Sequence, residues 1–234
     1  MNPIIKIDKS IIPACDVSTL KELEEIVEAT AGIKKIGAYK IGFSLGLGFG
    51  LKKVVQTIRQ YSDKPIIYDH QKAATDIPDM GKSFAETCRP AGIDAVILFP
   101  QAGPETEKAW IVAAKEAGLG VIVGGEMTHA GYLQKDNGFI ADDAPKRMYE
   151  IAASLGVEDF VVPGNKPEKI LFYRQFIESK GIKPVLYSPG LVAQGGEITE
   201  SAKAAGAKWH AIVGRGIYAA ENKKKAALQL TSKL

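Results

Sequence analysis

Three ionisable groups of mixed sign crowd one short stretch of this 234-residue chain: Asp69, Lys72 and Asp76, in the run Asp69-His70-Gln71-Lys72-Ala73-Ala74-Thr75-Asp76-Ile77-Pro78. They follow directly on the apolar run Pro65-Ile66-Ile67-Tyr68, so the charges begin where a buried strand stops rather than along a polar helix face. A carboxylate, an ammonium and a second carboxylate so close together can serve a proton transfer, hold the hydroxyls of a sugar, or neutralise one another at a surface. The elements that carry them decide which of these uses is open.

Short runs rich in Ile and Val recur at 11–15, 38–41, 66–69, 95–99, 121–124, 160–162, 185–188 and 211–213. Between them, segments 20–31, 51–61, 81–91, 105–117, 144–155, 167–179 and 200–205 carry apolar residues at three-to-four spacing with charges interleaved, the pattern of amphipathic helices. Strands apolar on both faces that alternate with helices imply a parallel sheet covered by helices. Eight such repeats predict an α/β (β/α)8 barrel rather than an open doubly wound sheet, with one domain over 1–234. The glycine-rich stretch 42–50 contains Gly46-Leu47-Gly48 but lacks the third glycine of a dinucleotide fingerprint, and is read as a loop over the barrel top.

In such a barrel, functional side chains sit at the C-terminal ends of the strands. Strand 1 delivers Asp16, which can either bind a ligand or cap the first helix, a task open also to Ser18 and Thr19. Strand 2 carries Lys40 between Tyr39 and Ile41, and a lysine inside an apolar strand must reach solvent or be paired with an acid. Strand 5 leads into Gly125-Glu126-Met127-Thr128-His129, which places a hydroxyl and backbone amides at the rim; His129 is read as satisfying a loop carbonyl. The turn Pro163-Gly164-Asn165-Lys166-Pro167 is assigned no chemistry. After strand 7 comes Ser188-Pro189-Gly190-Leu191-Val192-Ala193-Gln194-Gly195-Gly196, and after strand 8 comes Gly214-Arg215-Gly216-Ile217-Tyr218. Glycines let backbone amides approach an anion and Arg215 supplies a bidentate partner, so these two loops are the candidate phosphate site.

Composition bounds the answer further. With 46% hydrophobic and 24% charged residues the chain can bury a large core, which excludes disordered and membrane classes. The net charge of +3 is concentrated only at Lys223-Lys224-Lys225, read as a solvated helix face, so neither nucleic acid nor membrane is an expected partner. Cys15 and Cys88 have neither CxxC spacing nor a nearby His, and are expected to be reduced and buried. No secretory pattern opens the sequence and no apolar run reaches about 18 residues, so a cytoplasmic location is expected.

Taken in order, these segments resemble the orotidine 5′-phosphate decarboxylase family along nearly the whole chain. The resemblance rests on Asp16, Lys40 in Tyr-Lys-Ile-Gly, the Asp/Lys/Asp-Ile-Pro cluster and Glu126-Met127-Thr128-His129. It rests also on Ser188-Pro189-Gly190 with Ala193-Gln194-Gly195-Gly196, and on Val213-Gly214-Arg215 with Ile217-Tyr218. It implies a homodimeric barrel that converts orotidine 5′-monophosphate to UMP and carbon dioxide with no metal or organic cofactor. By position, Arg215 and Gln194, with amides of the loops carrying Pro189, Gly195 and Gly214, would hold the phosphate. Thr128 would contact the pyrimidine, and Asp16 and Lys40 the ribose hydroxyls. Asp69 would face the substrate carboxylate, Lys72 would stabilise and then protonate the C6 carbanion, and Asp76 would reach into the partner subunit's site.

One spacing departs from the family's. The family pattern is Asp-x-Lys-x-x-Asp, whereas this chain has Asp69-x-x-Lys72-x-x-x-Asp76, two residues longer. Positions i and i+2 of a strand share a face and i and i+3 do not, so a bulge or helical turn is predicted here. Two alternatives follow the same residues. One is a magnesium-dependent lyase or synthase acting on a keto-sugar phosphate; the other is a nucleotide binder that has lost its chemistry.

Overall fold

The computed structural model describes residues 3–70, 73–192 and 197–234. Lys72, Gln194 and Gly195 therefore lie outside the described residues. The strands are β1 (Lys9–Cys15), β2 (Tyr39–Gly42), β3 (Ile66–Asp69), β4 (Ala95–Leu98), β5 (Gly120–Gly124), β6 (Asp159–Val161), β7 (Val185–Ser188) and β8 (Trp209–Val213). Each pairs in parallel with its sequence neighbours, and β8 closes on β1. The helices are α1 (Leu20–Thr30), α2 (Phe43–Phe49), α3 (Leu51–Arg59), α4 (Met80–Cys88), α5 (Pro104–Glu116), α6 (Ala144–Ser154), α7 (Pro167–Glu178), α8 (Ile198–Ala205), α9 (Arg215–Tyr218) and α10 (Lys223–Thr231). The expected (β/α)8 barrel is the observed one, and each predicted apolar run falls on a strand.

Strand alternation sorts the core into two layers. Ile11, Tyr39, Ile41, Ile66, Tyr68, Val96 and Leu98 face outward and pack against the helices. Ile12, Ala14, Ala38, Ile67, Ala95, Ile97, Ile122, Val161 and Ile212 face inward and fill the barrel. This parity fixes the site, because Asp16, Lys40 and Asp69 each stand two residues beyond an inward apolar residue (Ala14, Ala38 and Ile67). The register Ala14↔Lys40 and Gly42↔Asp69 brings the three strand ends together.

The stretch 42–50 corrects the loop expectation: it contains α2. Glycine content argues locally against a helix, but packing outweighs it. Leu45 is fully buried, and Gly46 lies so close to the wall that an added Cβ would meet both the Leu51 side chain and the Tyr68 hydroxyl at 3.1 Å. Helix α1 settles another ambiguity. Thr19 is its N-cap, accepting from the Glu22 amide while the Glu22 carboxylate accepts from the Thr19 amide, a reciprocal cap that leaves Asp16 free of that duty.

One buried and one half-buried acid make stability depend on pH. Glu107 on α5 is 1% exposed and its Oε1 has no hydrogen-bond partner among the described residues; burial, against a smaller opposing effect of Lys108, pushes its carboxyl up to about 8. At the opposite end of the barrel from Asp69, Asp159 accepts from the Tyr187 hydroxyl at 2.8 Å, and burial raises it to about 6. Both pKa values are raised on folding, so the stability these groups contribute is present at low pH. It is lost as pH rises from the unfolded values, 4.5 and 3.8, through the folded ones. The thermal midpoint of the wild type should fall between pH 5 and pH 9, and Glu107→Gln should raise the pH 9 midpoint by several degrees while changing the pH 5 midpoint little. An equal shift at both pH values would show that ionisation of Glu107 is not the cause.

Candidate active site

At the C-terminal mouth of the barrel the Lys40 ammonium lies between two carboxylates. Its Nζ is 3.1 and 3.2 Å from the two Asp16 oxygens and 3.0 Å from Asp69 Oδ2. The Lys40 side chain is 5% exposed, Asp69 16% and Asp16 39%, so the ammonium is the deepest of the three. Burial alone would pull Lys40 down; Asp69 and Asp16 more than offset it and hold the ammonium above its ordinary value. Of the two fates open to this lysine in sequence, pairing with acids is the one realised.

Gly42, which sequence reasoning passed over, makes that pairing possible. A Cβ built on it would stand 2.5 Å from Asp16 Oδ1. Gly42→Ala should therefore push Asp16 away from Lys40 and weaken ligand binding roughly tenfold with the fold retained. Unchanged affinity for a bound nucleotide would contradict this role for Asp16. The signal was available, because a small residue at the end of β2 beside two charged strand ends is where a side chain would obstruct them.

The three charges open into a cavity of about 730 Å³. Thr128, Pro189, Gly214 and Arg215 line the same cavity, so these loop residues, drawn from beyond β5, β7 and β8, share one space with Asp16, Lys40 and Asp69. Ile97, Phe99, Val161 and Ile212 give it an apolar wall, while Phe43 and Leu47 of α2 stand at its rim, Leu47 at 74% exposure. Reading 42–50 as a loop hid that pair, since a helix sets positions four apart side by side on one face and an irregular loop does not. Arg215 is exposed and begins α9 directly after Gly214. His129 also lines the cavity, with its ring edge-on to Tyr132.

The longer charged loop is pinned on both sides of the two residues that lie outside the description. His70 Nδ1 and the Tyr68 hydroxyl are hydrogen-bonded at 2.6 Å. Beyond them the Ala73 carbonyl accepts from the Phe99 amide at 3.0 Å, and Ala74 adopts a left-handed conformation, φ 65°. A non-glycine residue rarely does so; the bulge or helical turn expected to carry Lys72 back toward Asp69 falls on residues 71–72, outside the described residues. The loop returns along α5, where the Asp76 and Ile77 carbonyls accept from the Thr106 hydroxyl at 2.9 Å and the Trp110 indole at 3.1 Å. The Asp76 side chain is exposed and does not join Asp16, Lys40 and Asp69 around the cavity. Its Oδ1 accepts from the Ile77 amide at 2.7 Å.

Glu126, 2% exposed, organises the opposite wall. Its carboxylate meets Lys166 at 3.2 Å and Lys169 at 3.1 Å and accepts from the Tyr173 hydroxyl. Burial pushes this carboxyl up, but Tyr173, Lys169 and Lys166 together hold it below its ordinary value. The turn after β6, given no chemistry in sequence, thus supplies Lys166, and its Asn165 donates to the Thr128 carbonyl at 3.3 Å.

The chain and its barrel are similar to known proteins. A family profile described as orotidine 5′-phosphate decarboxylase / HUMPS matches residues 9–230. The chain is similar to the orotidine 5′-phosphate decarboxylase of Methanosarcina barkeri, 35% identical over 226 residues, covering 95% of this chain and 93% of that one. It is also similar to that of Thermococcus kodakarensis, 33% identical over 223 residues and covering 95% of each. Among solved structures, the orotidine 5′-monophosphate decarboxylase of Methanocaldococcus jannaschii complexed with the inhibitor BMP superposes with a TM-score of 0.83 at 27% identity. The match covers 97% of this chain and 98% of that one. The orotidine 5′-phosphate decarboxylase of Pyrococcus horikoshii gives 0.79 at 28% identity, covering 95% and 98%.

Proposed function

This chain belongs to the orotidine 5′-phosphate decarboxylase / HUMPS family, and we propose from that premise that it converts orotidine 5′-monophosphate to UMP and carbon dioxide. The observation that carries the reading is the inward-facing Asp16–Lys40–Asp69 cluster, in one cavity with Thr128, Pro189 and Arg215. In this reading Arg215, Gln194 and the amides of Gly195 and Gly214 bind the phosphate, and Pro189 shapes the loop between phosphate and base. Thr128 meets the pyrimidine, while Asp16 and Lys40 hold the ribose hydroxyls.

Asp69 stands against the substrate's own carboxylate. That repulsion exists only while the carboxylate is attached, so it disappears as the bond breaks. The C6–carboxylate bond cleaves with its electron pair left on C6, and carbon dioxide departs. The Lys72 ammonium stabilises this localised anion more strongly than it does the ground state, which is the condition for lowering a barrier. It then delivers its proton to C6 and is reprotonated from water. No metal or organic cofactor is called on in any of these steps. The phosphate, remote from C6, supplies binding energy for positioning.

The working enzyme is in this reading a cytoplasmic homodimer in which Asp76 reaches the partner subunit's site. Support comes from the exposure of Asp76 together with its apolar neighbours Ile77 and Met80. Incubation with orotidine 5′-monophosphate in D2O tests the function. UMP and carbon dioxide should appear in equal amounts, with deuterium at C6 of the product. Unchanged orotidine 5′-monophosphate alongside turnover of a keto-sugar phosphate would overturn it.

A further inference from the structure

The Gly125-to-Thr128 segment is held from every side by groups that do not line the cavity. The Gly125 amide donates to the Tyr149 hydroxyl at 3.1 Å, and the Gly125 carbonyl accepts from the Tyr132 hydroxyl at 2.8 Å. Tyr149 in turn donates to the Val161 carbonyl at 2.7 Å, which ties the segment to β6. Next in the chain, the Glu126 carboxylate turns away from the cavity into the start of α7, where Lys166, Lys169 and Tyr173 converge on it. Two residues later the Asn165 side chain grips the Thr128 carbonyl. Met127 and Thr128, the two residues between these fixed points, are the ones that face the cavity.

We propose that Glu126 is a positioning residue for recognition of the pyrimidine: its clamp to Lys166, Lys169 and Tyr173 fixes Met127 and Thr128 at the cavity wall. It acts on the base and not on the phosphate or ribose. The inference rests on the decarboxylase reading of the site and deepens it.

Charge explains why the clamp must be ionic. Two ammonium groups meet one buried carboxylate, so removing the negative charge leaves both cations facing a neutral group and each other, and the turn after β6 is driven away from α7. Asn165 lies on that turn, and Thr128 is displaced with it. A shift of about 1 Å in a contact group costs up to roughly a hundredfold. Among the described residues, Gly214 and Arg215, after β8, make no bond to this network, while the Gly164 amide of the turn donates to the Pro189 carbonyl at 2.8 Å, on the loop between phosphate and base.

The test is a pair of affinities, for UMP and for ribose 5-phosphate, measured by calorimetry on wild type, Glu126→Gln and Asn165→Ala. Both variants should bind UMP about tenfold or more weakly while their ribose 5-phosphate affinity stays within about twofold of wild type. Should Glu126→Gln fail to fold, Tyr173→Phe removes one clamp hydroxyl with the shape kept, and it must show the same selective loss alongside Asn165→Ala. Equal losses for both ligands, or no loss for either, would overturn the proposal. A wild type that binds UMP no more tightly than ribose 5-phosphate would overturn the nucleotide reading itself, and this inference with it. A wild type that prefers UMP, with variants that keep the full preference, would sink the inference alone.

Discussion

Lys72→Ala is expected to slow decarboxylation of orotidine 5′-monophosphate by about a thousandfold or more, because one side chain is assigned both electrostatic stabilisation of the C6 anion and its protonation. Loss of a single preorganised donor costs roughly a hundred- to a thousandfold, and loss of a general acid a similar factor. Between Asp69 and Asp76 there is no second lysine to take over. Affinity for UMP, which has neither carboxylate nor carbanion, should change far less. Single-turnover rates and product affinity measured on the same preparation separate the two effects. Near wild-type turnover by Lys72→Ala would remove this residue from the chemistry and with it the idea that the longer loop still carries it.

Lys40→Met should have the next largest effect, this time on the fold as well as on turnover. The substitution keeps length and apolar stem but leaves the Asp16 and Asp69 carboxylates, each within about 3 Å of the lost ammonium, without the cation they share. Both carboxylates keep some solvent contact, 39% for Asp16 and 16% for Asp69, so the loss costs about 1–3 kcal/mol and, for a domain of this size, lowers the thermal midpoint by several degrees at pH 8. The sign with pH is fixed. In the variant the two neighbouring carboxylates repel each other without the ammonium between them, and that repulsion eases as the pH falls, so the lost stability returns at acid pH. In the wild type the raised Lys40 pKa keeps the pair's contribution intact until strongly alkaline pH. Melting curves from pH 5 to 9 should therefore converge at the acid end. Parallel curves would show that Lys40 contributes by packing and not by charge.

Strand parity explains why Asp16, Lys40 and Asp69 were legible in the sequence. Lys40 and Asp69 sit at inward positions of alternating strands, Asp16 follows β1 with the same parity, and the cost of burying an unpaired ammonium left Lys40 either solvent or an acid to meet. The candidate phosphate loops stood out because glycine runs and an arginine fell after the seventh and eighth strands. What escaped was set by contacts between distant segments. Helix α2 forms against the local preference of its glycines because Leu45 is buried and Gly46 meets Tyr68. Glu126 finds partners 40 and 47 residues away, and no local pattern encodes them. Asp76, expected from the family resemblance to reach into a partner subunit's site, lies exposed outside the cavity.

The central claim is that a barrel with this lengthened Asp69-to-Asp76 loop decarboxylates a nucleotide by positioned charges alone. The most direct measurement is the steady-state release of carbon dioxide from carboxyl-labelled orotidine 5′-monophosphate by the wild-type protein, before and after exhaustive treatment with a chelator. The account predicts rapid, stoichiometric release that the chelator does not diminish. No release, or release that vanishes on chelation and returns with magnesium, would contradict it.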